Sequence, residues 1–170
     1  MLSLWQPWAS LCVWKNPDNG KAEKQIETRH WSTDYRGLIA IHATKTLTPQ
    51  ARFEIANNSH IQDALIRHGA VDFGSVKRVT LTVGAIIGVV ELAEIYTTEN
   101  ILVNFNFFTM VASEAKREKA FGNYEPNRFG WLFKNPIEFK TPIECRGLQS
   151  LGSPKPEIEA LIFEQLSNVR

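Results

Sequence analysis

The run VTLTVGAIIGVVELAEIYTT at 79–98 constrains the fold most. It is long and β-branched, and such side chains suit a pleated sheet better than a helix. It is predicted to be the dominant buried strand, with Gly84 and Gly88 marking bends or bulges. A strand of that kind needs apolar partners, and the chain supplies them. YRGLIAIHA at 35–43 is apolar enough to be central, and strands are also expected at 1–5, 129–134 and 136–145.

Helical spacing occurs outside these segments. Trp8, Leu11 and Cys12 follow Pro7, which is suited to a first helical turn. Thr48 is placed to cap a helix that Pro49 opens, and HIQDALIRHG ends on Gly69, a C-terminal stop. The pair at 48–69 is expected to be an insertion between strands. Residues 99–112 fit either helix or strand. SEAKREKAFG at 113–122 is predicted as a short exposed helix, and a last helix at 156–167 would turn Ile158, Leu161, Ile162 and Leu166 to one side. Strands with helices lying outside them give an α+β fold with a small curved sheet or barrel. A length of 170 residues fits one domain, 1–170.

Apolar residues are 44% of the chain and charged residues 22%, enough for a real core. Net charge is +1, so any polyanion site must be a local patch. Cys12 and Cys145 have no CxxC spacing and are expected as free thiols in a reducing cytoplasm. The start lacks a signal-peptide pattern, and no apolar run reaches the roughly 18 residues that span a bilayer. The four histidines lack metal-site spacing, and His42 is expected as a hydrogen-bonded strand residue. No metal, cofactor or membrane is expected. Phosphate-loop, dinucleotide and nucleophile-elbow motifs are absent.

Against this background KQIETRHW at 24–31 is anomalous. It alternates like a strand, with Gln25, Glu27, Arg29 and Trp31 on one side and Lys24, Ile26, Thr28 and His30 on the other. Glu27 and Arg29 sit about 7 Å apart on that side. One reading is an exposed ion-pair ladder worth under about 1 kcal/mol. The other is a cleft wall, since Trp31, Tyr35 and Arg36 flank it and an arginine among aromatics can stack on a base and fork to a phosphate. Lys24 would join that side only from a bulge or a loop-to-strand junction. Glu91 is a second anomaly, a carboxylate in an apolar strand. It either faces solvent or pairs with a cation such as Lys24 or Arg29. GNYEPNRFGWLF at 122–133 turns and then begins a strand with Arg128, Phe129 and Trp131.

Taken together, LSLWQPWASL at 2–11, GKAEKQIETRHWST and YRGLIAIHA within 20–43, IIGVVEL, EPNRFGWLF and PIECRGLQSL resemble the ASCH family. This is the activating-signal-cointegrator homology domain, a relative of the PUA RNA-binding fold. The resemblance covers about 1–43 and 80–152. It implies a PUA-like β-barrel of five or six strands around a polar, basic cleft that binds RNA, a nucleotide or a nucleoside. Lys24, Glu27 and Arg29 would line that cleft. Trp31, Tyr35 and Arg36 would stand at its rim, Arg128 and Trp131 would face it, and Gln6 and Trp8 would form its floor or wall. Similar small proteins deacetylate acetylcytidine with a lysine, a threonine three residues on, an arginine two further and a distant glutamate. Lys24 and Arg29 keep that spacing and Glu91 is the expected distant acid, but Glu27 replaces the threonine. The alternatives are therefore a binding module, a hydrolase of a modified nucleoside with Lys24, Glu27 and Glu91 in catalysis, a ribonuclease pairing Lys24 with Tyr35, or an interaction domain whose polar strand is a salt-bridge ladder beside a closed cleft.

Overall fold

The computed structural model describes residues 1–72, 78–103 and 112–168. Seven strands and six helices are described: β1 (Leu2–Leu4), α1 (Trp8–Val13), β2 (Ile26–Arg29), β3 (Gly37–Ala43), α2 (Pro49–Asn57), α3 (Ser59–Arg67), β4 (Val71–Asp72), β5 (Arg78–Val79), β6 (Ala85–Thr97), α4 (Thr98–Val103), α5 (Ala112–Ala120), β7 (Phe129–Glu144) and α6 (Pro156–Ser167). The fold is α+β. Five strands form one sheet in the order β1-β3-β6-β7-β2, while β4 and β5 form a separate two-stranded ribbon.

Strand β6 is the centre of the sheet, as the 79–98 run predicts, but it begins only at Ala85, and Val79 belongs to β5 in the separate ribbon. Strand β6 is buried from both sides. Ile87, Val90 and Leu92 pack in a core with Leu11, Cys12 and Val13 of α1 and Leu65 of α3. Ile86 and Val89 pack in another with Phe139, Ile143 and Ile162 of α6. That double burial explains the unbroken apolar run. Gly84 has φ +71°, and the β6–β7 register shifts between Ile86 and Gly88. A Cβ at Gly88 would lie 2.3 Å from the Ile137 carbonyl oxygen and about 3 Å from the Val13 side chain. The glycine lets strand and helix close together.

The sheet does not close into a barrel through its hydrogen-bond ladder. β1 pairs only with β3, in parallel, and β2 pairs only with β7, antiparallel. These two edges nevertheless come together, because Arg29 Nη2 of β2 donates to the Ser3 carbonyl of β1 at 3.0 Å. A side chain bridges the seam where a closed barrel would have a ladder.

Several expectations change in detail. β7 is one strand bent at Asn135 (φ +49°), not two. Leu161 is 43% exposed, so α6 docks through Ile162 with Ile158 and Leu166. The helical insertion is present, with Thr48 Oγ1 accepting from the Ala51 N–H at 3.1 Å. Residues 98–103 are helical; 104–111 lie outside the described residues. Helix α5 is not simply exposed, since Glu118 on it is 1% accessible. No described helix is long and apolar enough to cross a membrane.

Candidate functional site: an ionic cluster behind an aromatic-walled cleft

Lys24 precedes β2, at the loop-to-strand junction. Its N–H donates to the Leu11 carbonyl at 2.9 Å, which holds it against α1. The side chain is fully buried. Its ammonium donates to the Ile26 carbonyl, lies 3.6 Å from Glu27 Oε2 and lies 3.8 Å from Glu118 Oε1. Glu118 reaches in from α5 and accepts the Gln25 and Ile26 N–H groups, each at 2.8 Å. Arg29 Nε lies 3.4 Å from Glu27 Oε1. The chain alternates two cations and two carboxylates here, as burial of charge requires.

Burial sets the acid–base character. It pushes the Glu118 carboxyl above the ordinary carboxylate range, a shift opposed by Lys24 and the two amide hydrogen bonds. Burial, with Glu118 and Glu27 adding to it, raises the Tyr124 phenol well above its usual value. The buried Cys12 thiol is raised for the same leading reason, next with Glu27.

Glu27 and Arg29 are the members of this cluster that meet solvent. They line a cleft of about 720 Å³ with Arg128. Trp5 and Trp8 supply aromatic wall, and Gln50 and Glu54 of α2 close another side. Trp5 is 52% exposed, unusual for so large an apolar side chain. The Trp8 indole N–H donates to the Phe121 carbonyl at 2.8 Å, which fixes the turn after α5. That turn clamps the outer edge of β2: the Asn123 N–H donates to Thr28 Oγ1 at 3.1 Å, and Arg128 Nη2 donates to the Thr28 carbonyl at 3.3 Å. A Cβ on Gly122 would meet the Tyr124 ring at 2.8 Å, so the close approach needs glycine. Because β2 is an edge strand, Thr28 joins Glu27 and Arg29 in the lining although alternation sends it the other way. The Nε atoms of Arg29 and Arg128 are buried and have no hydrogen-bond partner among the described residues.

The structure thus brings together Lys24, Glu27, Arg29, Trp8 and Arg128, with Lys24 behind the lining. The other predicted residues stand elsewhere. Trp131 has no exposed surface, and its N–H is used by the Trp31 carbonyl at 3.3 Å; it cannot face a ligand. Trp31 packs edge-on against Trp131 at 4.7 Å, outside the cleft lining. Tyr35 Oη donates to the Leu38 carbonyl, and Arg36 donates to the carbonyls of Thr33 and Tyr35 and lies 3.9 Å from Glu94; neither lines the cleft. Gln6 is buried, with Nε2 donating to Ser10 Oγ and the Thr82 carbonyl. Glu91 accepts from Asn135 Nδ2 at 2.6 Å and forms no ion pair with Lys24 or Arg29 among the described residues. Glu118 occupies the place expected of it. The lining is also not basic: Arg29 and Arg128 are balanced by Glu27 and Glu54.

Glu118, Trp5, Thr28 and the α2 residues are the additions that sequence reasoning missed. Glu118 lies among Glu114, Lys116, Arg117 and Lys119, so nothing local marks it as the buried acid. Trp5 carried a usable signal, as a tryptophan in a strand-to-helix junction. Among the described residues no cluster of histidine, cysteine, aspartate and glutamate could hold a metal ion.

No family model matches the chain, and no curated protein does. Solved structures do. A tyrosine-to-phenylalanine variant of the ASCH protein from Zymomonas mobilis matches with a TM-score of 0.50 at 15% identity, covering 95% of this chain and 94% of that one. The unsubstituted ASCH protein of the same organism matches at 0.49 and 14% identity, covering 99% and 92%. At such identity the likeness is one of fold, and the fold of this chain is the PUA-like fold of an ASCH domain.

Proposed function

We propose that the cleft binds a nucleoside unit, free, phosphorylated or within RNA. The observation that carries this reading is the Glu27 carboxylate. Lys24 and Arg29 hold it from behind at 3.6 and 3.4 Å, and its open side faces the cleft. A fixed carboxylate accepts hydrogen bonds from the amino and imino edge of a base. Trp5 and Trp8 offer stacking surface beside it. Arg29 and Arg128 line the same cleft and bring guanidinium groups to a phosphate or base carbonyl. The volume suits one such unit. On this reading the chain acts as one domain, with 48–78 an insertion lending α2 as a wall. It works in the reducing cytoplasm, which suits its free Cys12 and Cys145.

The test is titration of tryptophan fluorescence with nucleosides, nucleoside monophosphates and short RNA at low salt. Saturable binding, weakened at least about tenfold in Glu27→Gln, supports the reading, since a charged hydrogen-bond acceptor is worth about 1.5–3 kcal/mol. Absence of binding by every probe overturns it.

A second reading, hydrolysis of an acylated nucleoside, is favoured by the raised Glu118 carboxyl beside a cleft. Lys24 has no exposed surface, so contact with substrate falls to Glu27. Glu27 would take a proton from water as the hydroxide adds to the acyl carbon. Arg29 would balance the oxyanion, and the proton would pass to the leaving nitrogen as the C–N bond breaks. The ribonuclease variant loses its tyrosine, since Tyr35 is outside the cleft. A panel of acylated nucleosides and RNA tests turnover. Hydrolysis that survives Glu27→Gln sinks this assignment.

A further inference from the structure

A second cleft, of about 760 Å³, shares no lining residue with the first. Its lining carries three lysines, Lys15, Lys21 and Lys134, against one acid, Glu94. The first cleft has no such excess. Lys21 is engaged by Glu114 at 3.2 Å and Glu94 by Arg36 at 3.9 Å. Lys15 and Lys134 are exposed and form no ion pair among the described residues. Gln25 lines the same cleft. It is 8% exposed, and among the described residues its side-chain amide makes no hydrogen bond. Its amide lines the cleft and is free to meet a ligand.

We infer that this cleft is a second nucleotide site for single-stranded RNA, with Gln25 reading a base edge and Lys15 and Lys134 holding phosphates. The inference takes its ligand class from the reading of the first cleft. Gln25 continues the β2 ladder, its carbonyl accepting the Phe133 N–H at 2.7 Å. It therefore stands two residues, about 7 Å, from Glu27 on the same strand. That is about two stacked nucleotide steps of 3.4 Å. A glutamine amide can donate and accept at once, which matches the amino group and N7 of adenine. Lysine binds phosphate as a point charge. The first cleft, balanced in charge, selects the base; the second supplies the attraction for a polyanion.

The experiment uses the full chain, a labelled decamer of adenosines, a decamer of uridines, and AMP. Anisotropy across a salt series gives the slope of log affinity against log salt, and calorimetry gives AMP binding. For Lys15→Ala/Lys134→Ala, the decamer slope should fall by about 1.4, at 0.7 per lost phosphate contact on a single strand. The Glu27-dependent component of AMP binding, which reports the first cleft, should be unchanged. Gln25→Met should erase a preference of about tenfold for the adenosine decamer, with the fold checked by circular dichroism. A decamer slope unchanged in the lysine variant overturns the inference, and AMP binding that depends on Glu27 would leave the first cleft standing. A decamer bound with the reduced slope but with an affinity that Glu27→Gln leaves unchanged, together with no AMP binding, supports the second cleft and counts against the first. If neither ligand binds wild type, both fall.

Discussion

Replacing Glu118 with alanine should be among the most damaging substitutions in this protein that touch no apolar packing. The side chain accepts two backbone N–H groups at 2.8 Å and lies 3.8 Å from the buried Lys24 ammonium. Hydrogen bonds to a charged group are worth about 1.5–3 kcal/mol each, so the pair amounts to about 3–6 kcal/mol. Removing one partner of a buried ion pair costs about 3–5 kcal/mol. The two estimates describe the same loss, and about 3–5 kcal/mol is the expected destabilisation. At a urea dependence of about 2 kcal/mol per molar, the unfolding midpoint falls by about 1.5–2.5 M. Glu118→Gln keeps one carbonyl acceptor and should lose about half as much. Glu114→Ala, on the same helix, breaks a more exposed contact to Lys21 and should cost under about 1 kcal/mol. The sign of the pH dependence also follows. Burial raises the Glu118 carboxyl in the folded state, so its contribution is complete below its unfolded value of about 4.3 and declines as pH rises through the folded value. Wild type should lose part of its margin over Glu118→Gln as pH rises above the unfolded value. Urea unfolding followed by circular dichroism measures all three variants. A loss under about 1 kcal/mol for Glu118→Ala, equal to that of Glu114→Ala, would refute the reasoning.

Other outcomes follow from the same contacts. Gly88→Ala should destabilise by about 3 kcal/mol or more in urea, because the new Cβ meets the Ile137 carbonyl oxygen at 2.3 Å and only backbone movement relieves it. Thr48→Ala removes the cap of α2 and should cost about 1 kcal/mol while weakening ligand binding in the first cleft. His42 is held below its ordinary 6.5 chiefly by burial, with Nε2 against the Cys145 carbonyl at 3.1 Å. Its stabilisation is present above about pH 6.5 and is lost as pH falls; His42→Gln should flatten the stability profile between about pH 5 and 7.

The elements that carry the fold announce themselves locally. A β-branched run made β6 central, and Thr48-Pro49 and Gly69 bounded the helical pair. The site was legible only along one strand. Lys24, Glu27 and Arg29 sit within six residues, where alternation and charge make them conspicuous. Their fourth partner, Glu118, comes from a helix more than ninety residues away, where Glu114, Lys116, Arg117 and Lys119 are charged in the same way. Only the packing of α5 on the start of β2 singles it out. Trp131 misled for the opposite reason: a tryptophan beside Arg128 has the composition of a stacking platform, but its β7 position points into the core. Glu91 misled because a carboxylate amid an apolar run has the composition of a buried acid, whereas it lies on the side opposite Val90 and Leu92 and finds Asn135 at the bend of β7.

The central claim is that Glu27, Arg29 and Arg128 share one ligand in the first cleft. Backbone and indole amide chemical shifts of isotope-labelled protein, titrated with nucleosides, nucleoside monophosphates and short RNA, test it most directly. Saturable shifts confined to residues 27–29, 122–123 and 128 and to the Trp5 and Trp8 indoles, abolished by Glu27→Gln, are the predicted result. Shifts that map only to other surfaces, or a spectrum unmoved by every one of these ligands, would contradict it.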